Sequence, residues 1–411
     1  MTAETGQAAR AAADFAARTA YGRLLAVLSR RTKDIAAAED ALSDAFARAL
    51  ETWPRSGVPD NPEAWLITAA RRRLTDLARR AAVRAKAEPE LVLLLGRLGA
   101  AAETGALPDA RLGLMLACAD PAIDARLHTP LMLQVVLGLD AARIGALFLV
   151  SPAAMGQRLS RGKARIKAAG LAFEAPAAET LAPRLAPVLD AVYAAYTAGA
   201  DVAGAAPGRA GDLLDEALYL SRLLTELAPQ AAEAHGLYAL ICHCQARAAA
   251  RRGADGAYIP LAEQDPTLWD VALIDAGEAA LRRSLALAPP GRFALEAAIQ
   301  SVHAERRKTG ATNWPAAAAL YDRLILAGAG LGGHVARACA HGEAFGAEAA
   351  LSLLAPLVAQ ARDHQPFHAA HAHWLARAGR RAKARTAYDR AAALSPDPGV
   401  RAFLQDRKRQ L

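Results

Sequence analysis

Residues 140–167 read DAARIGALFLVSPAAMGQRLSRGKARIK, and the stretch divides into two helices joined by a tight turn. Asp140 offers an N-cap to a first helix that holds Ile144 and Leu147 inward, and residues 148–150 make the turn. Ser151 followed by Pro152 is a strong start signal for the second helix, because the hydroxyl accepts a free backbone N–H and proline needs none. In that helix Met155, Leu159 and Ile166 recur at helical spacing, while Gln157, Arg158, Ser160, Arg161, Lys163, Arg165 and Lys167 point the other way. No acid occurs between Ala141 and Phe173, so the outer face carries an unopposed positive field of the kind that suits a DNA major groove and its phosphates. A basic helical hairpin that touches nothing has the same pattern.

Composition extends the helical reading to the whole chain. Of 411 residues 54% are apolar but only 5% aromatic, with alanine carrying much of the apolar share, which favours closely packed helices over sheets. The expected class is all-α, in two or three domains. A net charge of +8 points to nucleic acid or an acidic protein surface as partner. Four cysteines, Cys118, Cys242, Cys244 and Cys339, make no disulfide framework, and a reducing cytoplasm fits them. The first residues carry acids and arginines where a signal peptide needs an apolar core, and no run approaches a membrane span of about 20 strongly apolar residues.

Upstream, Phe15, Leu24, Leu25, Val27 and Leu28 predict a first helix from about residue 12 to Arg31. Asp34 caps a second, whose apolar stripe of Ile35, Ala38, Leu42, Ala45, Phe46, Ala49 and Trp53 is backed by Glu39, Asp40, Asp44 and Glu51. By pattern alone that acidic face is equally an ordinary solvated one. The prolines of WPRSGVPDNPEAW (53–65) predict a loop. A third helix from near Glu63 sets Trp65, Leu66, Ala69, Leu74 and Leu77 against a dense cationic surface of Arg71, Arg72, Arg73, Arg79 and Arg80, which suits phosphate binding.

The strings AAEDALSDAFARALETW (37–53) and NPEAWLITAARRRLTDLARR (61–80) resemble region 2 of bacterial sigma factors of the extracytoplasmic-function class. The resemblance implies that Glu39, Asp40 and Asp44 face the β′ coiled coil of core RNA polymerase. It also implies that Asn61 lies near a pocket for a flipped base of the −10 element, and that the five arginines carry backbone phosphates. The hairpin at 140–167 resembles region 4, which engages the −35 element, with Ser151, Gln157, Arg158, Ser160, Arg161 and Lys163 as the implied DNA contacts. It departs from the family at Leu149, usually glycine, and at Gly156, often lysine. The implied domains are 10–85 (region 2-like), 86–108 (linker) and 109–173 (region 4-like).

More than 230 residues follow, expected as an α-helical extension over 184–411. APAAETLAPRLAP (175–187) reads as a linker. In residues 368–399, Ala372, Ala384, Tyr388, Ala391 and Pro396 fall at tetratricopeptide-repeat spacing, predicting a TPR-like helical repeat that binds a protein or acts on the N-terminal half. Tyr193 and Tyr196, LYLSRLLTELAP (218–229) and IPLAEQDPTLWD (259–270) complete a resemblance to the ECF42 group of sigma factors, in which Gln264, Asp265, Trp269 and Asp270 mark a characteristic loop. Cys242, His243 and Cys244 lack a second cysteine pair, and His364, His368, His371 and His373 lack an acid or cysteine partner, so no metal or other cofactor is expected. Nor is an enzyme, since nucleotide-binding glycine loops and nucleophile motifs are missing. The expectation is a cytoplasmic sigma factor that brings core RNA polymerase, through β′ and β, to promoter DNA. The alternative is a sigma-like regulator or TPR-type scaffold without initiation activity.

Overall fold

The computed structural model describes residues 3–84, 109–148, 150–173, 178–202 and 207–411; the expected linker 86–108 and Leu149 lie outside them. Among the described residues the regular structure is helical, α with short 3-10 turns, joined by loops, with one isolated antiparallel bridge between Arg252 and Tyr258. The chain divides into two compact units, Met1–Ala198 and Gly199–Leu411.

In the first unit the N-terminal helices are α1 (Ala3–Thr19), α2 (Tyr21–Thr32), α3 (Ile35–Ser56) and α4 (Pro62–Arg84). The single helix expected from residue 12 to Arg31 is thus two, broken at Ala20. Asp34 caps α3 as expected, its carboxylate accepting from the Ala37 amide at 3.1 Å. Helix α3 runs on through Pro54, where a loop was expected. Proline costs the Leu50 carbonyl its donor, but Leu50 is exposed, so water serves instead, while Trp53 is buried and anchors the turn.

The next helices are α5 (Ala110–Cys118), α6 (Ala125–Val135), α7 (Ala141–Leu147) and α8 (Pro152–Ala168), capped by Asp109, Asp124, Asp140 and Ser151 in turn. Helix α5 is buried at every position from Arg111 to Cys118. A helix covered on all sides needs partners on more than one face, and α5 has them in α2 and α6. Gly22 of α2 makes the closest approach to the segment after α6: a Cβ there would lie 1.9 Å from the Val136 carbonyl oxygen. The N-terminal helices and the hairpin therefore share one core.

Helix α9 (Ala178–Val202) occupies much of the expected linker and contains Pro183 and Pro187. Leu185, Val188, Leu189, Val192 and Tyr196 are buried, and that packing outweighs the lost helical bonds. Arg184 pairs with Asp120 at 2.6 Å, which ties the start of the expected extension to the first unit.

The second unit holds α10 (Pro207–Leu227), α11 (Ala232–Ala246), α12 (Val271–Leu287), α13 (Arg292–Ala304), the short α14 (Arg306–Thr309), α15 (Trp314–Leu326), α16 (Leu331–Phe345), α17 (Ala347–Leu354), α18 (Gln365–Arg377), α19 (Arg381–Leu394) and α20 (Pro398–Arg409). Each longer helix packs on its neighbours in sequence, as α11 does on α12 and α18 on α19. Ala372, Ala384 and Ala391 are fully buried, as close approach of α18 and α19 requires, and they join Phe367, Trp374, Tyr388 and Leu404 in one apolar cluster. The loop from Arg251 to Asp270 is held at both ends. Arg306 donates to the carbonyls of Leu261, Ala262 and Gln264 at 2.9, 3.1 and 2.6 Å and stacks over Trp269. At the other end Arg252 pairs with Asp397, and Tyr258 meets Phe403 edge-on.

Candidate functional site

The acidic face of α3 and the basic face of α8 belong to the same unit, and they meet. Lys163 Nζ lies 2.5 Å from Glu39 Oε2, and both side chains are largely covered, 12% and 15% exposed. One turn further along, Lys167 pairs with Asp34 at 2.6 Å. Burial raises the Glu39 carboxyl above the usual range, and the Lys163 hydrogen bond opposes that rise without cancelling it. Burial acts on Asp34 in the same direction, but Lys167 and the Ala37 and Ala36 amides more than offset it and hold its carboxyl low. The side chain of Tyr21 is pushed above its ordinary value by burial and then by Glu39.

The contact involves two of the expected site residues: Lys163, expected on the outward face of the hairpin, lies against α3, and Glu39, expected to face a partner, pairs with Lys163. Asp44 is half-buried, 2.9 Å from Arg48 and 4.0 Å from Arg73. Asp40 is exposed. Sequence reasoning missed Asp34 and Lys167 as partners. A usable signal was present: Glu39 and Asp40 have no cation three or four residues on, and α8 has no acid anywhere, so each helix face lacks local compensation.

Along α4, Arg71, Arg72, Arg79 and Arg80 are exposed and Arg73 is half-buried. Asn61 is also exposed, but its carboxamide oxygen accepts from the Ala64 amide at 3.0 Å, so it caps α4. Trp65 meets the buried Trp53 edge-on at 5.5 Å and fixes α4 against α3. On the hairpin, Ser151 is committed to capping α8 through the Ala154 amide at 3.4 Å. Gln157, Arg158, Ser160 and Arg161 are exposed on one side of α8, while Met155, Leu159, Gly162 and Ile166 are buried on the other. The turn is tight because Gly145 accepts from the Val150 amide at 2.8 Å, and a Cβ at 145 would come within 2.5 Å of the Val150 carbonyl. The structure thus leaves two separate exposed basic sets, the α4 arginines and the four polar residues of α8.

In the second unit the loop residues singled out by sequence serve the loop itself. Gln264 donates to Ile259, Asp265 caps a 3-10 turn, Trp269 is buried and Asp270 caps α12. His364 caps α18, and His368 meets the Arg362 carbonyl. Among the described residues no group of three or more His, Cys, Asp or Glu side chains is placed to hold a metal ion, and no helix is long and apolar enough to cross a membrane.

Comparison with known families agrees with the geometry of the N-terminal helices. Residues 17–84 match the model of sigma-70 region 2, a binding module rather than a catalytic one. Residues 184–285 match a family of unknown function (DUF6596). The chain is 35% identical over 401 residues to an uncharacterized protein of Rhizobium meliloti (strain 1021), covering 95% of this chain and 94% of that one. It belongs to the same family as that protein. No solved structure matches it.

Proposed function

We propose that the chain is a sigma factor that binds core RNA polymerase and directs promoter recognition, −10 melting and initiation. Its C-terminal TPR-like domain would bind a partner or regulate the first unit. The observation that carries this reading is the order of two basic helical modules in one chain: the region 2 match at 17–84, then the acid-free helix α8 with Gln157, Arg158, Ser160 and Arg161 exposed. In this reading α4 contacts the −10 element through Arg71, Arg72, Arg73, Arg79 and Arg80, with Asn61 beside it. Helix α8 enters the major groove of the −35 element, and Asp40, Asp44 and Glu39 face the β′ subunit. The protein catalyses nothing itself.

The test is run-off transcription by core polymerase supplemented with the full chain. A promoter-dependent transcript is the expected result, and transcription no greater than that of core alone sinks the reading. Binding to promoter duplex is a second measurement. Replacing Arg158 and Arg161 with alanine should weaken it and flatten the log–log salt slope by about 2, since each phosphate contact contributes roughly 0.9. An unchanged slope would remove α8 from the groove.

A further inference from the structure

A third exposed basic set lies in the second unit, whose charge is gathered at one end. Residues 199–364 carry 14 cations and 18 acids, whereas residues 365–411, which form α18, α19 and α20, carry ten cations and three acids. Seven of the ten cations are held by carboxylates or, for Arg401, by backbone carbonyls. The other three are Arg381, Lys383 and Arg385 on α19. All are exposed, and among the described residues no carboxylate pairs with any of them. Asp389, four residues beyond Arg385 and so within its reach, is taken by Lys408 at 2.6 Å.

The stability of α19 does not account for these cations. Its first turn holds no acid, Arg380 at the N-cap position makes no side-chain cap, and its last turn holds no cation. Positive side chains therefore crowd the end where the helix dipole opposes them and are missing from the end where it favours them. Their placement answers to something outside the helix.

The surroundings of the three cations fit a polyanion better than a protein. Large exposed apolar side chains occur elsewhere in the unit, Leu326 and Phe345 among them, but among the described residues none falls within 365–411. A protein interface draws its energy from apolar or aromatic anchors at its centre, and the exposed residues between these cations are only Ala382 and, just beyond, Thr386. An interface with a phosphate backbone is polar and positively charged and needs no such anchor. Arg381 and Arg385 stand one turn apart, about 6 Å along the axis, with Lys383 on the other flank of the exposed arc. B-DNA presents one charge every roughly 1.7 Å of its axis, so each cation can meet its own phosphate.

We propose that the exposed face of α19 is a DNA-backbone surface, on which Arg381, Lys383 and Arg385 hold phosphates of duplex DNA without reading its sequence. The inference rests on the proposed function for the choice of DNA as the polyanion, and it gives the second unit a DNA contact of its own. Carried on the same chain as the proposed promoter contacts, a sequence-independent contact adds to overall affinity through effective concentration, with no new base readout.

The experiment titrates the full chain, without polymerase, against a labelled duplex that lacks promoter elements, over a range of salt concentrations. Replacing Arg381, Lys383 and Arg385 together with alanine should flatten the log–log salt slope by about 2.7, three contacts at roughly 0.9 each. The loss should add to that of Arg158→Ala with Arg161→Ala, since the two sets lie on different helices of different units. Arg381→Lys with Arg385→Lys keeps both charges and should keep the wild-type slope, which separates a charge contact from damage to the fold.

A slope unchanged by the triple alanine substitution would overturn the proposal, as would an equal loss in the lysine variant or no duplex binding by the full chain at low salt. A triple variant that loses affinity for oligoglutamate while keeping its duplex slope would make the surface one for an acidic protein, and a loss confined to duplex RNA would make it one for RNA. Either result also overturns the proposal. If the slope falls as expected but run-off transcription fails, the surface stands and the initiation reading falls. The reverse pair of results removes the surface and leaves the initiation reading in place.

Discussion

Gly22→Ala is a purely steric test of how the first unit is assembled. Its Cβ would sit 1.9 Å from the Val136 carbonyl oxygen and 2.8 Å from the carbonyl carbon, both backbone atoms that no rotamer change can move. Restoring a tolerable separation of about 3.2 Å requires α2 and the end of α6 to part by more than 1 Å. Overpacking costs about 1–3 kcal/mol, and a clash this deep between two backbones belongs at the upper end, about 3 kcal/mol. Replacing glycine by alanine inside a helix returns up to about 1 kcal/mol, so the expected net loss is about 2 kcal/mol, confined to the first unit. Hydrogen exchange resolved by peptide is the assay, because it reads α5 and the second-unit helices in one sample. A loss of 2 kcal/mol accelerates exchange limited by opening about 30-fold. That acceleration should appear in α2 and in Arg111–Cys118, which is buried against it, and be absent from α18 and α19. If α5 exchanges at the wild-type rate in the Gly22→Ala chain, the shared core between the two modules is refuted.

The same substitution at Gly156 should act in the opposite direction. The nearest atom to a Cβ there is the Ala141 Cβ at 4.0 Å, so Gly156→Ala gains helix propensity without a clash, about 1 kcal/mol, read as a rise of about 2–4 °C in the melting temperature of the first unit. Acid should selectively weaken the second unit. His303 is lowered from 6.5 to about 4, first by burial and then by Arg247 and Arg306. A histidine whose folded value is depressed contributes stability that is complete above 6.5 and lost as pH falls from there toward 4. At pH 5 the loss is about 2 kcal/mol, and His303→Phe, which keeps a ring against Trp314, should flatten that part of the urea-stability profile by a similar amount. An identical pH profile in the variant would show that His303 is not the group being charged.

Much of the local architecture was legible because it is written in single residues. Asp34, Asp140 and Ser151 each announce a helix start, and each caps one. Met155, Leu159 and Ile166 lie inward at the spacing that predicts it. The prolines misled, since Pro54, Pro183 and Pro187 all sit inside helices. A proline removes one donor and crowds one turn, a cost of about 3 kcal/mol that a run of buried neighbours offsets. Burial is a property of the assembled unit, and no local window contains it.

The candidate site shows the same division more sharply. Periodicity separated the apolar from the charged side of α3 and of α8, and the burial pattern agrees with it. What periodicity lacks is any statement of which charged face meets water and which meets another part of the chain. Glu39 and Lys163 are 124 residues apart, and each alone reads as an ordinary outward residue offered to a partner. Both readings hold at once if the partner surfaces are complementary to each other as well as to polymerase and DNA. An acidic helix face and a basic one attract one another by the same Coulombic term that would draw each to an oppositely charged target. Joined in one chain they meet at high effective concentration, so a pairing that no local window of sequence contains forms between them.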